Sequence, residues 1–518
     1  MNARYVYTYS NMVRSIIESL LIDSDGHAHR AKVHLGLHEY SIYIITHTSS
    51  HQRSVMLKAA VYLLLLGFPR AAHSEEHCGG LQLDSWTDKE VVVEIHRNGD
   101  PHSCGSVKIT AKELASFDTP GKCLSDLNKY DVESFLTRLL SDKLDDQSCL
   151  NLDDEEPSPG FFGYCDRGSR YTPILNDHGK LVRVPSGSLP CRFHTREGLR
   201  ITSIDQFADL AMEKEQSCEN QQTDCGKTAH IHVYGVSAGR VFMFAPSYVG
   251  EIFELPHVDV DSGLPVYVEV LNMDPRVFEV YNFFSKEESD HLVKKAIAET
   301  SETHKIKRST TGAGENTVFS KITSESGFDT HGEIAQKVKR RCMMSLGFDK
   351  YIEGHTDGLQ ILRYNVSKAY TPHMDYMDDR RDSGGKHDYK SEFTGGNRFA
   401  TILLYMTGFE AGEGGETVFS RAWPPGSSQS ERKELPAALD ELRASGDASV
   451  LKEGSWEEKM VATCRSKFSV RPNAARAILF YSQFPNGKED QMSTHGGCPV
   501  LNPDKVSRWC VCCMSHGL

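Results

Sequence analysis

The chain has 518 residues, enough for two or more domains. Its 39% hydrophobic and 25% charged residues are those of a soluble globular protein and exclude a disordered or membrane-embedded one. A formal net charge of −13 argues against a nucleic-acid partner, which would want a basic face.

Taken in order, residues 1–55 show no clear periodicity and are left unassigned. Residues 56–74, MLKAAVYLLLLGFPRAAHS, join a Lys, an apolar run from Ala59 to Phe68, and small residues at Ala72 and Ser74. That is the form of a secretory signal peptide, with an apolar core too short to span a bilayer. Signal peptides begin a chain, so Met56 is expected to be the true start and residues 1–55 an over-extended reading frame. The alternative is a buried core helix. A secretory route places the protein in the endoplasmic reticulum lumen, although no retention signal stands at the C-terminus, and no transmembrane anchor is evident. It also lets cysteines pair. Eight of the 14 cysteines lie between Cys78 and Cys225, an even number whose connectivity is not readable from sequence. No two C-x-x-C pairs occur there, as a thiolate zinc site would want.

Residues 75–264 read as a separate, β-containing, Cys-rich domain of unknown role. Val91–His96, His230–Tyr234 and Val241–Phe244 are strand-like, and the last two flank a hairpin loop at Gly235–Arg240. The acidic, Pro/Gly-bearing stretch 153–160 reads as an exposed loop. A second domain, residues 265–518, opens with a strand at Val266–Leu271. Ser285 and Glu288 then form a capping box, and Leu292, Val293, Ala296 and Ile297 form the buried stripe of the helix behind it. A second helix runs from Gly332 to about Leu346. The fold class is α+β: short alternating strands suit a double-stranded β-helix, or jelly roll, with flanking helices. Residues 421–458, Pro/Ser-rich and then helix-like at Leu435–Leu442, interrupt the strands as an insertion at the barrel mouth, where lids are common.

Chemistry concentrates in residues 359–375, LQILRYNVSKAYTPHMD. If this is strand, connection and strand, His373 and Asp375 point to one face and reach one metal ion. A distal His, such as His495, completes a two-His, one-carboxylate set of the kind found in non-heme Fe(II) oxygenases. Two further H-x-D triplets, His257/Asp259 and His355/Asp357, compete for the same role. His230 and His232 form another same-face pair, read as an ordinary strand face.

The run YNVSKAYTPHMDY, followed by GGNRFATILLY, GEGGETVF and HGGCPV with Lys505 beyond, resembles the 2-oxoglutarate-dependent prolyl 4-hydroxylases of the collagen and plant/algal branch. The resemblance covers roughly Pro275 to the C-terminus. It implies a jelly-roll dioxygenase that uses Fe(II), 2-oxoglutarate, O2 and L-ascorbate to hydroxylate C4 of proline in a peptide or protein substrate. Tyr364, nine residues before His373 as in the family, selects His373, Asp375 and His495 as catalytic metal ligands. Lys505 is implied to pair the far carboxylate of 2-oxoglutarate, with Tyr364 hydrogen-bonding it and Thr401 assisting. A buried carboxylate needs such a cation. Tyr370 and Arg398 match positions that hold the peptide, and Arg308 is placed on a loop that closes over it. The alternative for Tyr370 and Arg398 is barrel-mouth packing or a surface ion pair. The algal enzymes carry cysteines at the places of Cys464 and Cys498, which implies a disulfide between them.

The chain departs from the family after Lys505. Val506 stands where Trp is usual, and Trp509 follows four residues on rather than six. Both spacings are even, so Trp509 would face the co-substrate with Lys505 on a regular strand. Two other readings remain: the same chemistry on another residue or a free amino acid, and a non-catalytic jelly-roll binding module. The substrate and the oligomeric state are not legible.

Overall fold

A computed structural model of the chain describes residues 31–34, 43–46, 90–115, 129–144, 171–175, 181–185, 191–204, 206–210, 229–236, 240–258, 260–309, 322–377, 397–504 and 508–516. The signal-like segment, the acidic stretch 153–160, Asp259, Lys505 and six of the eight N-terminal cysteines lie outside the described residues; Cys104 and Cys191 lie within them. The chain divides into two compact units, Met1–His77 and Cys78–Leu518. In the first, Ala31–His34 and Tyr43–Thr46 pair antiparallel, in a stretch left unassigned from sequence. Among the described residues, no helix is long and apolar enough to cross a membrane.

Beside a two-stranded antiparallel pair, Tyr171–Leu175 with Leu181–Pro185, the described residues of the second unit hold two larger sheet systems. In the N-terminal one, β1 (Glu90–Arg97) pairs antiparallel with β2 (Ser103–Thr110) and parallel with β4 (Ala229–Val236), which pairs antiparallel with β3 (Arg192–His194). Strand alternation drives one face inward. Val91, Val93 and Ile95 of β1 and Ile231 and Val233 of β4 pack with Val132, Leu136 and Leu140 of helix α1 (Lys129–Lys143) in a core of their own. Two of the three expected strands are therefore present. The third is not: Val241–Phe244 forms no strand and no hairpin with β4. Its side chains are buried without alternation, because the segment is wedged between the two sheet systems. Its backbone bonds go to side chains instead of a ladder. Asn98 donates from Nδ2 to Val241 O at 2.7 Å and accepts from Met243 N at 2.9 Å, while Phe244 N donates to the Tyr481 hydroxyl at 3.1 Å.

The C-terminal system is two sheets facing each other. The larger has nine strands, in the order β8-β9-β10-β17-β12-β15-β7-β6-β5. These are β5 (Ile252–Leu255), β6 (Val266–Met273), β7 (Arg276–Tyr281), β8 (Lys307–Arg308), β9 (Glu325–Asp329), β10 (Leu359–Tyr364), β12 (Arg398–Tyr405), β15 (Arg476–Tyr481) and β17 (Arg508–His516). The sheet thus takes in residues ahead of Pro265, the expected domain start. The smaller has the order β11-β16-β13-β14: β11 (Tyr370–His373), β13 (Thr417–Phe419), β14 (Phe468–Val470) and β16 (His495–Gly497).

Period-two burial separates two apolar layers. Leu359, Ile361, Ala400, Ile402, Leu404, Ala477 and Leu479 face outward onto helices α2 (Lys286–Ala298) and α3 (Glu333–Ser345). Leu362, Tyr364, Leu403, Tyr405, Ile478 and Phe480 face inward onto the small sheet. Each such large side chain contributes roughly 1.5–3 kcal/mol on burial. Helix α2 begins at the expected capping box, Ser285 accepting from Glu288 N while the Glu288 carboxylate accepts from Ser285 N. Its buried stripe is Ser289, Leu292 and Ala296, with Val293 half-buried; Ile297 is exposed, because 289/292/296 already fills the three- and four-residue spacing that faces the sheet.

The insertion does not cap the barrel mouth. Its helix α4 (Leu435–Ser445) packs on α5 (Trp456–Ser466). Met460 and Cys464 of α5 pack with Ala369, Val418 and Cys498. Val418 lies between the inward Thr417 and Phe419, so α5 covers the outer face of the small sheet.

Candidate active site

The two sheets bring together three side chains far apart in sequence. Strand β11 ends at His373 and β16 begins at His495, and these residues are register partners across an antiparallel pair. Asp375 follows two residues after His373. His373 Nε2 lies 3.6 Å from Asp375 Oδ1, and His495 Nε2 lies 3.7 Å from Oδ2. One donor atom from each residue fits within 4.8 Å of the others.

The rings are fixed in the tautomer a metal needs. His373 Nδ1 lies 3.0 Å from Thr371 O, and His495 Nδ1 3.0 Å from Ser493 O. A carbonyl only accepts, so each Nδ1 carries the hydrogen and each Nε2 lone pair is left to the cation. Burial and the neighbouring His495 lower His373 to about 4, so it is neutral at physiological pH. Burial raises Asp375, but His495, His373, Arg398 and a hydrogen bond from Thr401 outweigh it and hold the carboxyl below its ordinary range. Two imidazoles with Nε2 turned inward and a carboxylate, on one side of a cation, suit Fe(II) with open positions.

Packing holds this arrangement. Thr401, on the inward face of β12, donates from Oγ1 to Asp375 Oδ2 at 2.5 Å. Phe480 lies against His495 with ring centres 4.5 Å apart. Asp490 accepts from Met492 N and caps the single turn that delivers His495. The two glycines after His495 are forced by close approach. A Cβ at Gly496 would stand 2.8 Å from Tyr370 O, and one at Gly497 2.9 Å from the Tyr364 hydroxyl.

The described residues of the competing H-x-D triplets have other partners. Asp357 forms a two-bond ion pair with Arg398, at 2.9 and 2.8 Å, and the His355 ring packs edge-on to Phe348. His257 Nε2 contacts Met344 O at 3.3 Å, in the outer layer.

A family model described as the 2OG-Fe(II) oxygenase superfamily matches residues 359–515. Prolyl 4-hydroxylase 1 of Arabidopsis thaliana is 32% identical over 252 residues, 46% of this chain and 69% of its own. Probable prolyl 4-hydroxylase 3 of the same plant is 31% identical over 248 residues, 46% of this chain and 70% of its own. The chain belongs to the prolyl 4-hydroxylase family. Probable prolyl 4-hydroxylase 7 is 30% identical over 250 residues, and the chain spans 65% of its length. A solved viral collagen prolyl hydroxylase from Paramecium Bursaria Chlorella virus-1 aligns with 47% of this chain and 96% of its own at 18% identity, with a TM-score of 0.26, too low to carry weight.

Within this prolyl 4-hydroxylase fold the remaining expected residues divide. Tyr364 is buried in the inner layer beside Gly497. Tyr370 places its ring 4.4 Å from that of His373, at the mouth. Arg398 stands beside the ligands in its pair with Asp357, the ion-pair alternative. Arg308 is exposed on the edge strand β8 and donates to Ile322 O, whose residue bridges to Tyr370. Thr401 is in the site, but its bond is to the metal-binding carboxylate. Trp509 is a correction: it lies in the outer layer, opposite Arg363 in register and beneath its guanidinium, facing away from the metal. The parity argument required a regular strand from Lys505, and β17 begins at Arg508.

Two residues beside the His373–Asp375–His495 group escaped sequence reasoning. Asn397 accepts from Met377 N at 2.9 Å and donates to Met377 O at 2.7 Å, pinning the chain just past Asp375. Tyr405 donates to Thr417 Oγ1 at 2.9 Å inside the barrel. The only signal for Asn397 was its place between a Gly pair and a strand.

Proposed function

We propose that the C-terminal half hydroxylates C4 of proline in peptides or proteins of the secretory pathway, in the endoplasmic reticulum lumen. The convergence of His373, Asp375 and His495 inside the barrel carries this reading. These three would hold the iron, which supplies the O2-dependent chemistry when bound; 2-oxoglutarate leaves as succinate and CO2, and L-ascorbate keeps the metal reduced. Around it, Thr401 orients Asp375, the Thr371 and Ser493 carbonyls orient the imidazoles, and the apolar inner layer excludes water. Lys505 supplies the cation for the far carboxylate of 2-oxoglutarate, with Tyr364 beside it. Tyr370, Arg398 and Arg308 line the approach for the peptide. A bridge between Cys464 and Cys498, whose sulfurs lie at bonding distance, ties α5 to the loop after His495.

The test is succinate release with a +16 Da product across collagen-like, Ser-Pro-rich and single-proline peptides, the increment being about one oxygen atom. Turnover of 2-oxoglutarate that modifies none of them would sink the substrate assignment. Asp375→Ala should abolish turnover and weaken iron binding, since it removes one of three protein ligands. Lys505→Ala should raise the KM for 2-oxoglutarate steeply while iron stays bound, because a buried charge loses its partner. An unchanged KM would remove Lys505 from the site.

A further inference from the structure

A second group of metal-donor side chains stands outside the barrel, on the N-terminal sheet. Strands β1 and β4 run parallel, and Glu94 is the register partner of His232. His96 lies two residues past Glu94, on the same sheet face. His96 Nε2 is 2.9 Å from His232 Nδ1, which is 3.6 Å from Glu94 Oε2, and one donor atom from each residue falls within 4.8 Å of the others. These spacings bracket the about 3.3 Å that separates neighbouring donors on a tetrahedral ion with Zn–N bonds near 2.0–2.1 Å. The face opposite is the apolar core of the sheet, so both strands are rigidly placed.

The surroundings favour a built site over a loose surface cluster. His96 is buried, 3% exposed, and its ring stacks on Tyr234 with centres 4.6 Å apart and planes 18° apart. The other Glu94 oxygen lies 3.3 Å from His230 Nδ1, which orients the carboxylate. His232 is exposed, so the group opens to solvent on one side. Two imidazoles and one carboxylate with a solvent-facing position is a donor set for a borderline-soft divalent cation, not for the oxygen-seeking Mg2+ or Ca2+.

We propose that Glu94, His96 and His232 bind a second divalent transition metal, of the Zn2+ class, which clips the parallel pair β1–β4.

The experiment isolates this site by removing the other. The full chain carrying H373A, D375A and H495A, stripped with chelator, is titrated with Co2+ followed by visible absorption, and then with Zn2+ followed by bound metal per chain and by melting temperature. The expected result is saturable binding of about one equivalent with tetrahedral Co2+ bands and a Zn2+-dependent rise in melting temperature; second-site donors of this kind set affinity strongly. Adding Glu94→Gln, or His232→Ala on the exposed side, should weaken binding by at least about 10–100-fold, the loss already typical when only an outer partner of a metal ligand is removed. Both variants leave His96 and its stack in place, so their folding is checked by the metal-free melt. No saturable binding in the barrel-site variant, or binding unchanged by both added substitutions, would overturn the proposal.

Discussion

At the scale of single residues, the site is three donors and the groups that aim them. Thr401 makes the point. Its hydroxyl is fully buried and its one described hydrogen bond goes to Asp375 Oδ2. Thr401→Val keeps the shape and deletes that bond, so iron affinity should fall about 10–100-fold while the melting temperature of the metal-free protein changes little. An unchanged iron titration would mean that Asp375 needs no such support. The candidate donors were legible only in part: H-x-D on a strand with a distal His is a chemical pattern readable without coordinates, but three triplets fitted it and the family resemblance chose among them. The direction of Thr401 was not: the resemblance gave it a part in holding the co-substrate, and only the folded barrel shows its hydroxyl on Asp375. Arg398 likewise met Asp357 from a competing triplet, a pairing across 41 residues that no local spacing encodes.

At the scale of elements, helix α5 and the loop after His495 form one mechanical piece. Met460 lies against Gly496, and Cys464 stands with Cys498, three residues past His495. The separation is 34 residues, for which a cross-link contributes about 3–4 kcal/mol in the chain-entropy model. Non-reducing peptide mapping should recover Cys464 joined to Cys498, and Cys498→Ser should lower both the melting temperature and the iron affinity. Recovery of either as an alkylated thiol would remove the bridge. Element type was readable where a periodic pattern had one interpretation, as in α2 with its capping box. It failed where a second layer competed for the same apolar residues. Val241–Phe244 has strand composition, yet buries both of its faces between two sheets and so cannot join either. The insertion had the length of a lid, but Val418 shows which side of the small sheet it covers.

At the scale of the whole molecule, the N-terminal sheet and the barrel meet around His194, and this joint should be acid-sensitive. His194 ends β3, and its ring stacks on Phe242 of the wedged segment with centres 5.0 Å apart. Nδ1 lies 3.1 Å from Gly198 O, whereas Nε2 is buried without a partner. Burial lowers its pKa to about 3, helped by Arg192 and Arg200, with the Gly198 carbonyl and Asp349 opposing. In the unfolded chain a histidine titrates near 6.5. Between those values the unfolded state binds the proton and the folded state does not. Stability is therefore fully present above about pH 6.5 and is lost as pH falls toward 3, by at most about 1.4 kcal/mol per pH unit from this residue. His194→Phe keeps an aromatic ring on Phe242 and removes the titration. The variant should be somewhat less stable than the parent at pH 7, having lost the bond to Gly198, and the gap should close or reverse by pH 4. Urea midpoints measured for both proteins across that range provide the check, since acid effects on the iron site are common to the pair and cancel. Parallel curves would show that His194 is already protonated in the fold, with the charge accommodated at the joint between sheet and barrel.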